Sequence, residues 1–231
     1  MAGEIDMSLE PFARAREFPG TRPVWRHDGL ADAGHRDRRP PIASSPAPLD
    51  ASFASTLLSH RRLFDQVDAL RQPMADALLL MADAVHRGGR LIFFGNGLGG
   101  VVARLLADTF VAAVPAHPSR RPVSAPALAL VKDEGAHGSF ADGIRARGRT
   151  GDCAVALSAS GRSRNILSAM LAAHDSGMVN IAFLGQVGQA LPLADVALVC
   201  GHSDPARVHE AQLFIGHTLC TQLTRALQSP G

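Results

Sequence analysis

The sequence predicts an α/β three-layer sandwich with a five-stranded parallel sheet, preceded by a helical pair. Three observations carry that prediction. Short apolar runs at Leu91-Ile92-Phe93-Phe94, Ala127–Val131, Cys153–Leu157, Met178–Leu184 and Val196–Cys200 are separated by helical patterns or loops, the order that gives parallel strands joined by crossover helices. The runs are apolar throughout rather than alternating, as strands covered on both faces are. Two of them flow directly into turn chemistry and then into a helical pattern: Gly95-Asn96-Gly97-Leu98-Gly99-Gly100 after the first, and Ser158-Ala159-Ser160-Gly161-Arg162-Ser163 after the third.

In chain order, residues 1–48 are rich in Pro, Arg, Asp and Gly and have no sustained apolar period. Such a segment buries too little surface to offset its ordering entropy, so it reads as a disordered extension. Trp25, Phe18 and Val24 within it read as a stray apolar patch rather than a docking motif. Residues 49–231 then form one domain, a helical pair over 49–88 and an α/β core over 89–231. In the first helix Phe53, Leu57, Leu58, Leu63, Phe64, Val67 and Leu70 recur at three- and four-residue spacing. Pro73 suits the first turn of the second, whose apolar face is Leu78, Leu79, Met81, Ala82 and Val85 before Gly88-Gly89 ends it. The pair is expected to pack on the sheet or to form a subunit interface. Val101, Leu105, Leu106, Thr109 and Phe110 give the helix after the first strand. Pro115 to Pro126 is a loop, Phe140 and Ile144 suggest a short helix, and Ile166, Leu167, Met170 and Leu171 open the helix after the serine cluster. The terminal helix runs from Pro205 to Leu227, capped by Asp204, with an apolar set that includes Val208, Ala211, Phe214, Ile215, Leu219 and Leu223.

Composition narrows the function. No Tyr and one Trp leave little with which to stack single-stranded bases, and 23 Lys+Arg against 21 Asp+Glu give a formal charge of +2. Direct nucleic-acid binding and an anionic membrane surface are therefore not expected. Cys153, Cys200 and Cys220 are far apart in sequence and sit in apolar runs or on a helix, as reduced core residues do. No apolar run approaches the ~20 residues that span a bilayer. The chain also opens without a basic stretch followed by an apolar one, so the expected compartment is the cytoplasm.

The serine cluster carries the chemistry. Free N–H groups at a helix start hold partial positive charge, Ser158, Ser160 and Ser163 add hydroxyl donors, and Gly161 lets the backbone approach an anion. On local pattern the same residues read equally as a serine-rich helix cap. The Gly95–Gly100 turn is a second ligand-facing floor. It fits neither a dinucleotide fingerprint nor a nucleotide P-loop, which would need a Gly-Lys-Ser or Gly-Lys-Thr. Ligands of parallel sheets sit beyond the carboxyl ends of the strands, where both turns lie.

Together these residues resemble the sugar isomerase (SIS) fold, a flavodoxin-like arrangement, and within it the phosphoheptose isomerase group. The matching elements are Phe94-Gly95-Asn96-Gly97, Gly151-Asp152 before the central strand, Leu157 to Ser163 where the family has Ser-Thr-Ser-Gly-Asn-Ser, Ala194-Asp195-Val196, and Ala206-Arg207-Val208-His209-Glu210 where it has Arg-Ile-Gln-Glu. The likeness runs from Leu49 to the C-terminus.

The resemblance implies that Ser158, Ser160, Gly161 and Ser163 hold the phosphate of a phosphorylated sugar, with Asn96 and Gly97 lining the floor. It implies aldose–ketose isomerisation through an enediol, of the sedoheptulose 7-phosphate type, in a dimer or tetramer whose sites are shared between subunits. The chain departs from the family at several positions. Ala159 stands for a Thr and Gly99 for a Ser, removing two hydroxyls. The family's His and Glu on the helix after the Gly-Asn-Gly turn fall on Leu105 and Thr109, with Asp108 adjacent, and its Gln and His on the last helix become His209 and His217. In some members those four positions hold zinc. Here only His209 and His217 keep ligating atoms, so the metal set is incomplete unless the loop residues His117 or His137 complete it. Lys132 and Asp133 fall near a family acidic residue. The catalytic expectation is His217 as base with His209 or Asp108 assisting. The alternative is a non-catalytic regulatory protein, like the SIS-type protein that binds the bacterial replication initiator.

Overall fold

Five apolar runs form one parallel sheet in the computed structural model, which describes residues 47–113, 127–130 and 139–228. The strands are β1 (Leu91–Gly95), β2 (Ala127–Leu130), β3 (Cys153–Ser158), β4 (Val179–Leu184) and β5 (Val196–Val199). Their order is β2-β1-β3-β4-β5, with Leu91 opposite Ala127 and Cys153, Cys153 opposite Val179, and Ile181 opposite Val196. Strand order reverses between β1 and β3, and a doubly wound sheet opens a crevice at that switch point.

Before the sheet come α1 (Ala47–Val67), a 3₁₀ turn at Asp68–Leu70, and α2 (Arg71–His86). The remaining helices are α3 (Leu98–Ala113), α4 (Phe140–Arg147), α5 (Arg164–Asp175) and α6 (Pro205–Gln228). Successive side chains of a strand point to opposite faces, so Phe93 and Phe94 enter different cores. Phe93 joins Leu63, Met81, Leu106, Phe110 and Ile215 from α1, α2, α3 and α6. Phe94 joins Ile144, Ile166 and Met170 from α4 and α5. In α5 the small residues Ala169, Ala172 and Ala173 are buried with Ile166 and Met170. The amino-terminal edge is tied by Asp152, whose carboxylate accepts the Arg90 N–H at 2.8 Å, the Arg149 N–H at 3.1 Å and Arg90 Nη2 at 2.8 Å.

The expected sandwich and preceding helices are present, with corrections at ends and faces. The first helix starts at Ala47 rather than Leu49, because Pro48 is tolerated in a first turn that needs no N–H bond. β4 begins at Val179 and β5 stops at Val199, while Val131 lies outside the described residues. Ser139 and Asp142 form a capping box that starts α4. Several residues of the expected apolar sets are exposed: Phe53, Leu57 and Leu58 on α1, Leu79 on α2, Val101 and Leu105 on α3, Leu171 on α5 and Phe214 on α6. Periodicity finds apolar residues but not whether this chain supplies something to cover them. The rest of the extension, the 115–126 loop, Lys132, Asp133, His117 and His137 lie outside the described residues. No helix among those described is long and apolar enough to cross a membrane.

Cys153, Cys200 and Cys220 are buried free thiols, as expected. Burial pushes Cys220 up to about 12. It also raises Cys153, with Asp195 and then Asp152 adding to the effect, and it raises Cys200. A thiol with a raised folded pKa keeps its proton in the native state while the unfolded chain releases one, so stability falls with rising pH. Urea unfolding should therefore give a free energy that declines once pH passes about 8.5, and thiol reagents should label the native chain only after denaturant is added. Rapid labelling without denaturant would contradict the buried placement.

Candidate functional site

The carboxyl ends of β1 and β3 are pressed together. A Cβ at Gly95 would lie 2.6 Å from the Gly99 carbonyl carbon, 2.7 Å from its oxygen and 3.0 Å from the Leu157 oxygen, all backbone atoms. Only glycine lets β1 turn there into α3. Gly97 adopts φ +51°, and the Gly99 and Gly100 N–H groups donate to the Asn96 and Gly97 carbonyls at 2.9 Å each.

Beside this floor, the serine cluster forms a tight loop. Ser158, 5% exposed, accepts the Gly161 N–H at 3.0 Å, and Ser160, at the surface, accepts the Arg162 N–H at 3.2 Å. Gly161 has φ +65° and lies so close to the following loop that a Cβ would sit 2.9 Å from the Gln186 oxygen. Two hydroxyls therefore shape the loop through their oxygens, and each keeps its own proton to donate. Ser163 is the N-cap of α5 but makes no capping hydrogen bond. Its hydroxyl and the positive end of the helix remain available to an anion. Arg162 and Arg164 are exposed on either side of it.

Asn96 joins the two loops. Its Nδ2 donates to Asn165 Oδ1 at 3.0 Å and Asn165 Nδ2 donates back to Asn96 Oδ1 at 2.7 Å. The role of Asn165 was not read from the sequence, although its place in the first turn after the serines was the available signal.

On the other side stands α6, opened by Asp204, whose Oδ1 accepts the Ala206 N–H at 2.9 Å. The half-buried His209 reaches the floor: its Cε1 is 3.5 Å from where a Gly99 Cβ would stand, and the Leu157 oxygen borders the same space at 3.3 Å. His209 Nδ1 lies 2.9 Å from Gln212 Oε1, and Gln212 Nε2 donates to the Phe183 carbonyl at 2.7 Å. Gln212 was also missed, since a glutamine on a helix carries no signal until its neighbour is known. Next to His209, Glu210 is held by Arg207 Nη2 and His60 Nδ1, each at 2.8 Å.

The other candidates are elsewhere. His217 is exposed, without a hydrogen bond among the described residues, and eight residues of helix set it roughly 12 Å further along the axis than His209. Asp108 is exposed and paired with Arg104 at 2.7 Å. Thr109 Oγ1 donates to the Leu105 carbonyl at 2.7 Å, and Leu105 is 45% exposed. No three metal-ligating side chains cluster among the described residues. With Leu105 and Thr109 offering no ligand, His209 and His217 alone remain of those four positions, and they do not fit a catalytic zinc, which takes three protein ligands.

The model of the SIS domain matches residues 58–185, spanning α1 through β4 and both loops. The chain belongs to the SIS domain family. Its relatives place it in the phosphoheptose isomerase-like group. It is 35% identical over 189 residues to a phosphoheptose isomerase of Solidesulfovibrio magneticus, covering 78% of this chain and 86% of that protein. It is 34% identical over 164 residues to one of Paramagnetospirillum magneticum, covering 67% and 84%. Among solved structures, phosphoheptose isomerase GmhA from Neisseria gonorrhoeae superimposes with a TM-score of 0.67 at 25% identity, covering 76% of this chain and 98% of that one.

The crowding in this SIS domain sets two expectations. Gly95→Ala should lower unfolding free energy by at least about 1–3 kcal/mol, the range for forcing atoms into a packed site. Ser158→Ala should cost about 1–3 kcal/mol by leaving the Gly161 N–H unpaired, while Ser160→Ala, at the surface, stays within about 0.5 kcal/mol. Urea titration of the three variants checks the order.

Proposed function

We propose that the chain binds a phosphorylated sugar at the Ser158–Ser163 loop and interconverts aldose and ketose, as a phosphoheptose isomerase-like enzyme acting on a sedoheptulose 7-phosphate-type substrate. The observation that carries this reading is the His209 imidazole beside the Gly99 floor, next to a serine loop whose Ser163 hydroxyl caps nothing. The names of the relatives support the same substrate class.

In this reading the phosphate lies against Ser160, Ser163 and the start of α5, and Arg162 and Arg164 attract it. Asn96 and Gly97 line the sugar. His209 takes the proton from the hydroxyl-bearing carbon next to the carbonyl. The C–H electron pair becomes the C=C bond of the enediol as the carbonyl oxygen gains a proton. Return of the carbon proton to the neighbouring carbon, with loss of a proton from the other oxygen, completes the exchange with no net change of atoms. His209 takes precedence over His217 because it borders the floor, and Asp108 is left out because Arg104 holds it at the surface.

The exposed apolar residues Val101, Leu105 and Phe214 favour a homo-oligomer, and His217, exposed three residues after Phe214 on α6, then belongs to the surface that a second copy covers. The second reading is a phosphosugar-binding regulatory protein without turnover. The engagement of Thr109 with the Leu105 carbonyl favours it, because neither residue supplies an acid or base.

The test is a panel of heptose, hexose and pentose phosphates, followed by thermal shift and by turnover. Ligand binding to the native state raises its melting temperature. Isomerase activity that His209→Ala lowers by at least about 10²-fold, with the thermal shift retained, supports the enzyme. A shift without turnover supports the regulatory reading, and no shift with any sugar phosphate defeats both.

A further inference from the structure

A histidine serves as a base through one ring nitrogen, and which one is set by the hydrogen bond the other makes. On α6, His209 and Gln212 are three residues apart and therefore neighbours on one helix face. Gln212 is 1% exposed, so its amide orientation is decided by buried partners. One of these is the Phe183 carbonyl, 2.7 Å away. A carbonyl only accepts, so the amide nitrogen must face it; the reversed amide would bring two acceptor oxygens together in a dry environment. That leaves Oε1 toward His209 Nδ1 at 2.9 Å. An amide oxygen also only accepts, so Nδ1 must carry the ring proton.

We propose that Gln212 is a positioning residue: anchored on the β4 backbone at Phe183, it holds His209 as the Nδ1–H tautomer and leaves Nε2 as the basic nitrogen at the ligand floor. Nε2 makes no hydrogen bond among the described residues, and the adjoining Cε1 packs toward the buried Gly99 of the turn after β1. The chain thus carries a backbone-to-amide-to-imidazole relay that converts a strand carbonyl into the choice of basic atom. The same two bonds restrain rotation of the ring, because turning it would break the bond from Nδ1. The catalytic value of the relay rests on the proposed role of His209, whereas the tautomer is a property of the free protein.

The experiment is two-bond ¹H–¹⁵N correlation of the histidine rings in the full chain, at a pH above the imidazole titration, with His209 assigned by its absence in His209→Gln. The wild type should show Nδ1 protonated and Nε2 bare. Gln212→Met, of similar volume but with no amide, should lose that preference and lower kcat for a sugar phosphate at least about tenfold, with KM within about twofold. Gln212→Glu with its carboxyl protonated should retain the tautomer and most of the rate, since the O–H can donate to the Phe183 carbonyl while the other oxygen accepts from Nδ1. A wild-type spectrum with Nε2 protonated overturns the inference without need of a variant, as does a folded Gln212→Met chain that keeps the Nδ1–H form. The expected spectra without turnover on any sugar phosphate uphold the relay and count against the isomerase reading instead.

Discussion

The structure depends on how closely two strand ends approach. At the carboxyl ends of β1 and β3 the backbone of Gly99 and the carbonyl of Leu157 occupy the volume that any side chain at residue 95 would need. This contact fixes the start of α3 and brings the Asn96–Gly97 turn alongside the serine loop. It also sets the buried Gly99 toward which the His209 ring packs. The reversal of strand order at this point supplies the crevice, and the glycine contact sets its floor. The reciprocal Asn96–Asn165 amide pair then spans the two loops, so the starts of α3 and α5 are held in register by side chains as well as by the sheet.

Functional groups in this SIS domain are divided between rigid and exposed places. Ser158 is committed to its own loop, Ser163 is not, and His209 is braced through Gln212 to β4. Leu105, Val101 and Phe214, by contrast, turn outward from α3 and α6. An isolated domain gains little from large apolar side chains in water. Their placement on two helices that pack against each other and border the site connects the question of assembly to that of chemistry.

Much of this was legible in the sequence. Continuous apolar runs gave the strands, because burial on both faces leaves no alternation to confuse them, and the Gly95 and Ser158 turns marked the end of the sheet where ligands lie. The faces of the helices were less legible. Leu79 and Leu105 match the helical period as well as Met81 and Leu106 do, and only the packing partner distinguishes them. The site was legible in its residue types rather than its connections. The sequence offers three equivalent serines, yet Ser158 and Ser160 accept backbone N–H groups of their own loop while Ser163 caps nothing. His209 and His217 differ in the same way, since their eight-residue separation along α6 decides which borders the floor. Gln212 could not have been found without the β4 carbonyl, which is 29 residues distant.

The most direct test of the account is amide mapping by ¹H–¹⁵N TROSY spectroscopy as sedoheptulose 7-phosphate is added to the full chain. The account predicts saturable shifts concentrated at Gly97, Ser160, Arg162, Ser163 and Asn165, with smaller changes at His209. Shifts confined to the apolar groove of Phe64, Met74 and Phe214, or none at a concentration that saturates a phosphoheptose isomerase, would contradict it.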